Sequence, residues 1–212
     1  MSTYDLEEQE QLAELKAFWK QYGNLIVLAI AAALAVFAGY RIWQWYQVSQ
    51  SAQASVVYGE LLKAASANDA KKVRDLSGTL IEQYPRSAYA PLGAFISAKV
   101  HFGTGDLKTA RAQLSWAAEN ARDPGVQALA RLRLANVLLD EKAYDEALRV
   151  LAAKPEAAFE PLFEELRGDV LAAQGKRAEA KAAYATALGK LKTGDDAARE
   201  LIQLKLDGLG DR

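Results

Sequence analysis

Residues Glu165–Leu188 read ELRGDVLAAQGKRAEAKAAYATAL, and the spacing inside this stretch decides the fold. Gly168 and Leu171 precede Gly175; Ala180, Tyr184 and Ala187 follow it. A small residue lets two antiparallel helices approach closely, and bulky residues fill the seam between them. A glycine supplies the backbone freedom needed where the first helix stops. Ala180, Ala183, Tyr184, Ala187 and Leu188 fall on one face by i, i+3, i+4 spacing. The stretch therefore predicts a helical hairpin, turning at Gly175, with Lys176 opening its second helix.

The pattern recurs upstream. Ala135, Leu138, Ala147 and Leu151 stand 33 residues before their counterparts Gly168, Leu171, Ala180 and Tyr184. Another 37 residues back lie Ala98, His101, Gly105, Ala110 and Leu114, with Ala117 closing that unit and Asp106 opening its second helix. A degenerate first unit runs from about Ser51 to Tyr84 and ends at Pro85. Departures are local: Lys142 replaces the turn glycine in the third unit, Lys154 its last small residue, and Arg167 stands where leucine is usual. All five prolines (Pro85, Pro91, Pro124, Pro155, Pro161) fall where helices start or stop. After Gly194, Asp195–Leu209 forms one more amphipathic helix, whose Ala198, Leu201, Ile202 and Lys205 suit a terminal cap. The offsets resemble the tetratricopeptide pattern, which implies a superhelix of stacked helical hairpins. Composition agrees, with 42 alanines in 212 residues.

The N-terminal quarter follows different rules. Residues 1–20 are polar and acidic, whereas Gln21–Tyr40 carries no charge and Leu25–Ala38 is apolar without a break. Twenty helical residues span about 30 Å, the thickness of a hydrocarbon core. Trp19 and Tyr22 precede this run, and Tyr40, Trp43, Trp45 and Tyr46 follow it, as aromatic belts do at the headgroup level. A membrane helix is expected over residues 21–42, then a connector over 43–50 and the repeat domain over 51–212. The acidic lead is unlike the basic start of a cleaved signal peptide. Lys16 and Lys20 before the run, against Arg41 after it, favour an N-terminus inside. Within the helix, Ala31, Ala35 and Gly39 fall four apart and form a candidate packing face for another helix. The fold class is thus all-α: one transmembrane helix, a stack of hairpins and a capping helix.

Composition narrows the function. Cysteine is absent and His101 is the only histidine, so thiolate sites and two-histidine metal sites are excluded. A net charge of −1 argues against a nucleic-acid surface. HFGTGDLK (His101–Lys108) has Lys108 where a dinucleotide loop needs its third glycine, and neither Gly-Lys pair (175–176, 189–190) has the spacing of a phosphate-binding loop. His101 sits at a seam position and reads as a packed structural residue. Glu164, Glu165 and Asp169, with Arg167 among them, read as a solvated, salt-bridged helix face. No enzyme activity, cofactor, metal or small-molecule substrate is expected. In the repeat register, the first-helix positions facing a groove are Phe95, Lys99 and Phe102, then Leu132, Asn136 and Leu139, then Glu165 and Asp169. Such a surface is apolar at one end and acidic at the other.

The order of parts is itself recognisable: LKAFWKQYG (Leu15–Gly23), the anchor, RIWQWYQ (Arg41–Gln47), helical repeats including ELRGD (Glu165–Asp169), and IQLKLDGL (Ile202–Leu209). It closely resembles the YfgM family, the ancillary SecYEG translocon subunits of the Gram-negative inner membrane. That resemblance implies a cytoplasmic N-terminus and a periplasmic repeat domain. It implies association with the SecYEG translocon and with the anchored periplasmic chaperone PpiD, and help to newly translocated polypeptides. It carries no catalytic residues. Two alternatives stand beside this reading: a scaffold that only tethers PpiD at the translocon, and a regulator of envelope stress signalling acting through the cytoplasmic tail.

Overall fold

The computed structural model describes residues 3–210, with side chains for residues 11–210. Every element among them is a helix. They run α1 (Thr3–Ser66), α2 (Ala70–Gln83), α3 (Tyr89–Gly103), α4 (Leu107–Asn120), α5 (Pro124–Asp140), α6 (Tyr144–Leu151), α7 (Glu160–Ala173), α8 (Arg177–Lys190) and α9 (Asp196–Gly208). The chain divides into two compact units, Met1–Ser49 and Gln50–Arg212.

The first unit consists of the N-terminal part of α1. Leu25, Leu28, Leu34 and Phe37 are all exposed, a condition that costs free energy in water and none in lipid. Among the described residues, α1 alone is long and apolar enough to cross a membrane. Phe18 packs on Tyr22 with ring centroids 5.1 Å apart, and Tyr40 on Trp43 at 6.2 Å, so the aromatics pair along the helix by i, i+3 and i, i+4 spacing. Ala31, Ala35 and Gly39 are exposed, with open space at Gly39.

The second unit is a stack of four hairpins and a cap. The end of α1 pairs with α2; α3 with α4, α5 with α6 and α7 with α8 follow, and α9 closes the stack against α8. First helices also touch their successors, α3 against α5 and α5 against α7. The degenerate first unit is therefore a full repeat, with its first helix supplied by α1.

All four hairpins turn in the same way. Asn68, Gly105, Lys142 and Gly175 have φ of 55°, 79°, 59° and 78°, in the left-handed region. Each turn carries two backbone bonds of the Schellman type. The amide after the turn residue reaches back to the helix: Asp69 to Ala64 (3.0 Å), Asp106 to His101 (2.8 Å), Ala143 to Leu138 (2.8 Å), Lys176 to Leu171 (2.9 Å). The turn amides donate to Ala65, Phe102, Leu139 and Ala172. Lys142 thus adopts the conformation that glycine adopts in its neighbours, at a steric cost of roughly 1–2 kcal/mol. Where the next residue is aspartate it also caps the following helix: Asp69 accepts from the Lys72 amide (3.0 Å) and Asp106 from the Thr109 amide (3.1 Å).

Buried side chains of α3–α7 form the main core, which includes Phe95, Leu114, Leu134, Leu138, Leu151, Phe163 and Val170. Leu61, Leu80 and Ala90 pack the first repeat, and Leu171, Tyr184 and Ile202 the last. The tightest of the glycine positions is Gly168: a methyl group there would stand 2.4 Å from the Tyr184 ring. His101 takes the seam position that Leu138 and Leu171 take in later repeats, and it is buried. Its Nδ1 lies 3.3 Å from Asp106 Oδ2, which also accepts from Arg74 at 2.6 Å. Burial first, and the Arg74 guanidinium second, push the imidazole below its ordinary value; Asp106 offsets this only in part.

Candidate partner-binding groove

The common turn fixes the register of the first helices. Phe95, Leu132 and Glu165 each stand ten residues before their turn residue, and Lys99, Asn136 and Asp169 six before it. Phe102 and Leu139 stand three before it. The first repeat has Tyr58, Leu62 and Ala65 at the same three places. Leu62 is exposed, and Tyr58 packs on Tyr89 with centroids 5.4 Å apart.

Between α3 and α5 these positions enclose a cleft of about 410 Å³. Phe95, Ala98, Leu114 and Val137 form its floor and are buried; Lys99, Phe102, Arg133 and Asn136 line it and are exposed. The Arg133 guanidinium lies 4.6 Å from the centre of the Phe95 ring, a cation–π contact that holds it across the cleft. The Asn136 amide nitrogen donates to the Leu132 carbonyl at 3.0 Å. Four of the residues expected in the groove are therefore together here. Leu132 is 8% exposed and belongs to the core, and Leu139 packs against that core. Arg133 and Val137 line the cleft without having been expected there; they neighbour Leu132 and Asn136 in sequence, and a strict repeat register passes over them.

The α7 end differs. Glu165 and Asp169 do not form an open acidic surface, because the cap reaches them. Lys205 of α9 donates to Glu165 Oε1 at 2.7 Å and to Asp169 Oδ2 at 2.8 Å. Tyr184 donates its hydroxyl to Asp169 Oδ1 at 2.7 Å. Desolvation acts to lower the Lys205 ammonium, but the two carboxylates outweigh it and the net shift is upward. Burial, then the bond to Asp169, pushes the Tyr184 hydroxyl well above its usual range. Both groups keep their protons at any physiological pH, so this cluster is a fixed clasp. A sequence signal was present in the isolated Lys205 on the inner side of a helix whose neighbours are leucines. Its partners, 36 and 40 residues away, are not readable by spacing.

Comparison with known proteins agrees with this architecture. Residues 16–211 match the model of a family described as a tetratricopeptide repeat-like domain. A Neisseria gonorrhoeae protein named ancillary SecYEG translocon subunit is 39% identical over 206 residues, covering 96% of this chain and 98% of that protein. Proteins of the same name from Haemophilus influenzae and Escherichia coli are 27% and 24% identical. They cover 97% and 95% of this chain and 99% and 96% of their own lengths. An apolar N-terminal helix, four hairpins with one shared turn, a closing cap and these full-length matches lead to one conclusion: the chain belongs to the YfgM family of ancillary SecYEG translocon subunits.

Proposed function

We propose that this chain is a non-enzymatic, single-pass inner-membrane adaptor of the SecYEG translocon. Residues 1–20 lie in the cytoplasm, residues 21–42 span the bilayer, residues 43–50 connect, and the repeat domain of residues 51–212 works in the periplasm. There it meets PpiD and newly translocated polypeptides. The observation that carries this reading is the pairing of an exposed apolar helix with a repeat domain that presents an open, partly aromatic cleft. Anchoring raises the local concentration of such a cleft near a translocon exit without any new contact. The names of the relatives supply the translocon itself.

Protease treatment of spheroplasts, combined with photo-crosslinkers at Phe102 and Asn136, tests it. The expected result is digestion of the C-terminal domain from outside, together with crosslinks to translocon subunits, PpiD or a translocating chain. Release of the protein by an alkaline wash of membranes, or protection of the C-terminal domain in spheroplasts, would overturn it.

A further inference from the structure

The cleft between α3 and α5 is unusual in its charge. Both of its ionic side chains, Lys99 and Arg133, are cations, and no carboxylate lines it. Elsewhere in the stack, cations near the helix seams meet acids: Arg111 meets Glu141 and Glu146, Lys190 meets Glu160, and Lys205 meets Glu165 and Asp169. Two like charges sharing one cleft repel each other, and an incoming anion relieves that repulsion while gaining charge-assisted hydrogen bonds. Arg133 lies over the Phe95 ring, and no carboxylate of the cleft lining engages its N–H groups. Asn136 spends its amide nitrogen on Leu132, which leaves its carbonyl oxygen to accept an N–H from an added chain. Beside these polar groups stands Phe102, 43% exposed over a buried apolar floor.

The other end of the same face shows how this register is read. There the acids Glu165 and Asp169 are engaged by a basic side chain on an amphipathic helix, α9, whose Ile202 is buried beside it. The α3–α5 cleft has the opposite sign, and among the described residues it is lined by α3, α4 and α5 alone. We infer that it binds a partner polypeptide segment in which an aspartate or glutamate adjoins a bulky apolar side chain: the acid meets Lys99 and Arg133, and the apolar group lies on the exposed ring of Phe102. An anionic lipid headgroup satisfies the cations but has no use for the aromatic floor. This inference rests on the adaptor reading above and names the segment that the groove selects.

The test uses the full chain in zwitterionic nanodiscs and fluorescent twelve-residue Gly/Ser peptides carrying Asp-Phe, Lys-Phe, Asn-Phe or Asp-Ser at the centre. Anisotropy should show Asp-Phe binding at least about 10-fold more tightly than Lys-Phe, with Asn-Phe and Asp-Ser between, and the preference should shrink in high salt. Lys99→Glu with Arg133→Glu should reverse the order, and Lys99→Gln with Arg133→Gln should abolish it. Both pairs are surface changes, and an unaltered helical circular dichroism melt confirms the fold. Equal binding of Asp-Phe and Lys-Phe, a preference untouched by the charge swap, or capture by anionic vesicles in place of peptide would overturn the inference. The adaptor reading is scored separately by crosslinking from Phe102 in cells. Crosslinks that survive the charge swap sink the acidic-segment inference alone, whereas no polypeptide crosslink from the unmodified cleft sinks both.

Discussion

The first and fourth repeats solve the same packing problem from opposite sides. Seven residues before the turn and nine after it, each hairpin has one buried residue in its first helix and one in its second. In the fourth repeat these are Gly168 and Tyr184; in the first they are Leu61 and Ser77, all buried. The second and third repeats use Ala98 with Leu114 and Ala135 with Leu151. As the first-helix residue shrinks from leucine through alanine to glycine, its counterpart grows from serine through leucine to tyrosine. What the seam holds constant is filled volume, as close packing requires, and not the identity or side of the large residue.

The comparison can be broken most severely from the fourth repeat. Tyr184→Ser should empty the seam and remove the hydroxyl that Asp169 accepts, costing about 3–5 kcal/mol by the standard of buried aromatic truncations. Thermal or urea unfolding of the full chain measures this. Gly168→Leu should cost about 3 kcal/mol, because even a methyl group there meets the Tyr184 ring at 2.4 Å. Combining the two copies the first repeat's arrangement. The double variant should be more stable than the sum of the single losses by roughly 1–3 kcal/mol. Strict additivity would show that the two seams are not equivalent.

Smaller effects test the turns. Lys142→Gly should stabilise the third repeat by about 1 kcal/mol, and Gly175→Lys should cost the fourth a similar amount, since both positions have positive φ. An unchanged melting temperature for Lys142→Gly would mean that the third turn relaxes when its neighbours allow it. The smallest effect is one of slope. His101 has a lowered folded-state value, so between that value and about 6.5 the unfolded chain binds a proton that the folded chain does not. Stability contributed by the neutral imidazole is therefore present above about pH 6.5 and is lost as the pH falls through that window. His101→Leu, which copies the later repeats at this position, should flatten that part of a melting-temperature profile.

These pairs also explain what could be read from the chain. Glu165–Leu188 announced its hairpin because glycine and tyrosine are the extreme members of the series and Gly175 marks the turn. The first repeat was legible only as a degenerate unit because Leu61 and Ser77 invert the expected sizes and Asn68 turns in place of glycine. The apolar run Leu25–Ala38 needed no partner to be recognised, since length and absence of charge suffice. The cleft was half legible. Register alone reached Phe95, Lys99, Phe102 and Asn136, but Arg133 enters through its ring contact with Phe95, which sequence spacing does not encode. Spacing shows Glu165 and Asp169 as acids on a helix face but not their pairing with Lys205, which depends on how α9 folds back.

The shared turn has a consequence for how such a chain can change. Joints of one shape, built by asparagine, glycine, lysine and glycine in succession, lie inside each hairpin between its two helices, whereas the links from one hairpin to the next run from three to eight residues. Exchanging a whole hairpin would therefore mean refitting the link to its neighbour, whereas residues on a helix face can be replaced while the bend of that hairpin stays fixed, so a new binding surface arises more readily by substitution within a unit than by swapping units.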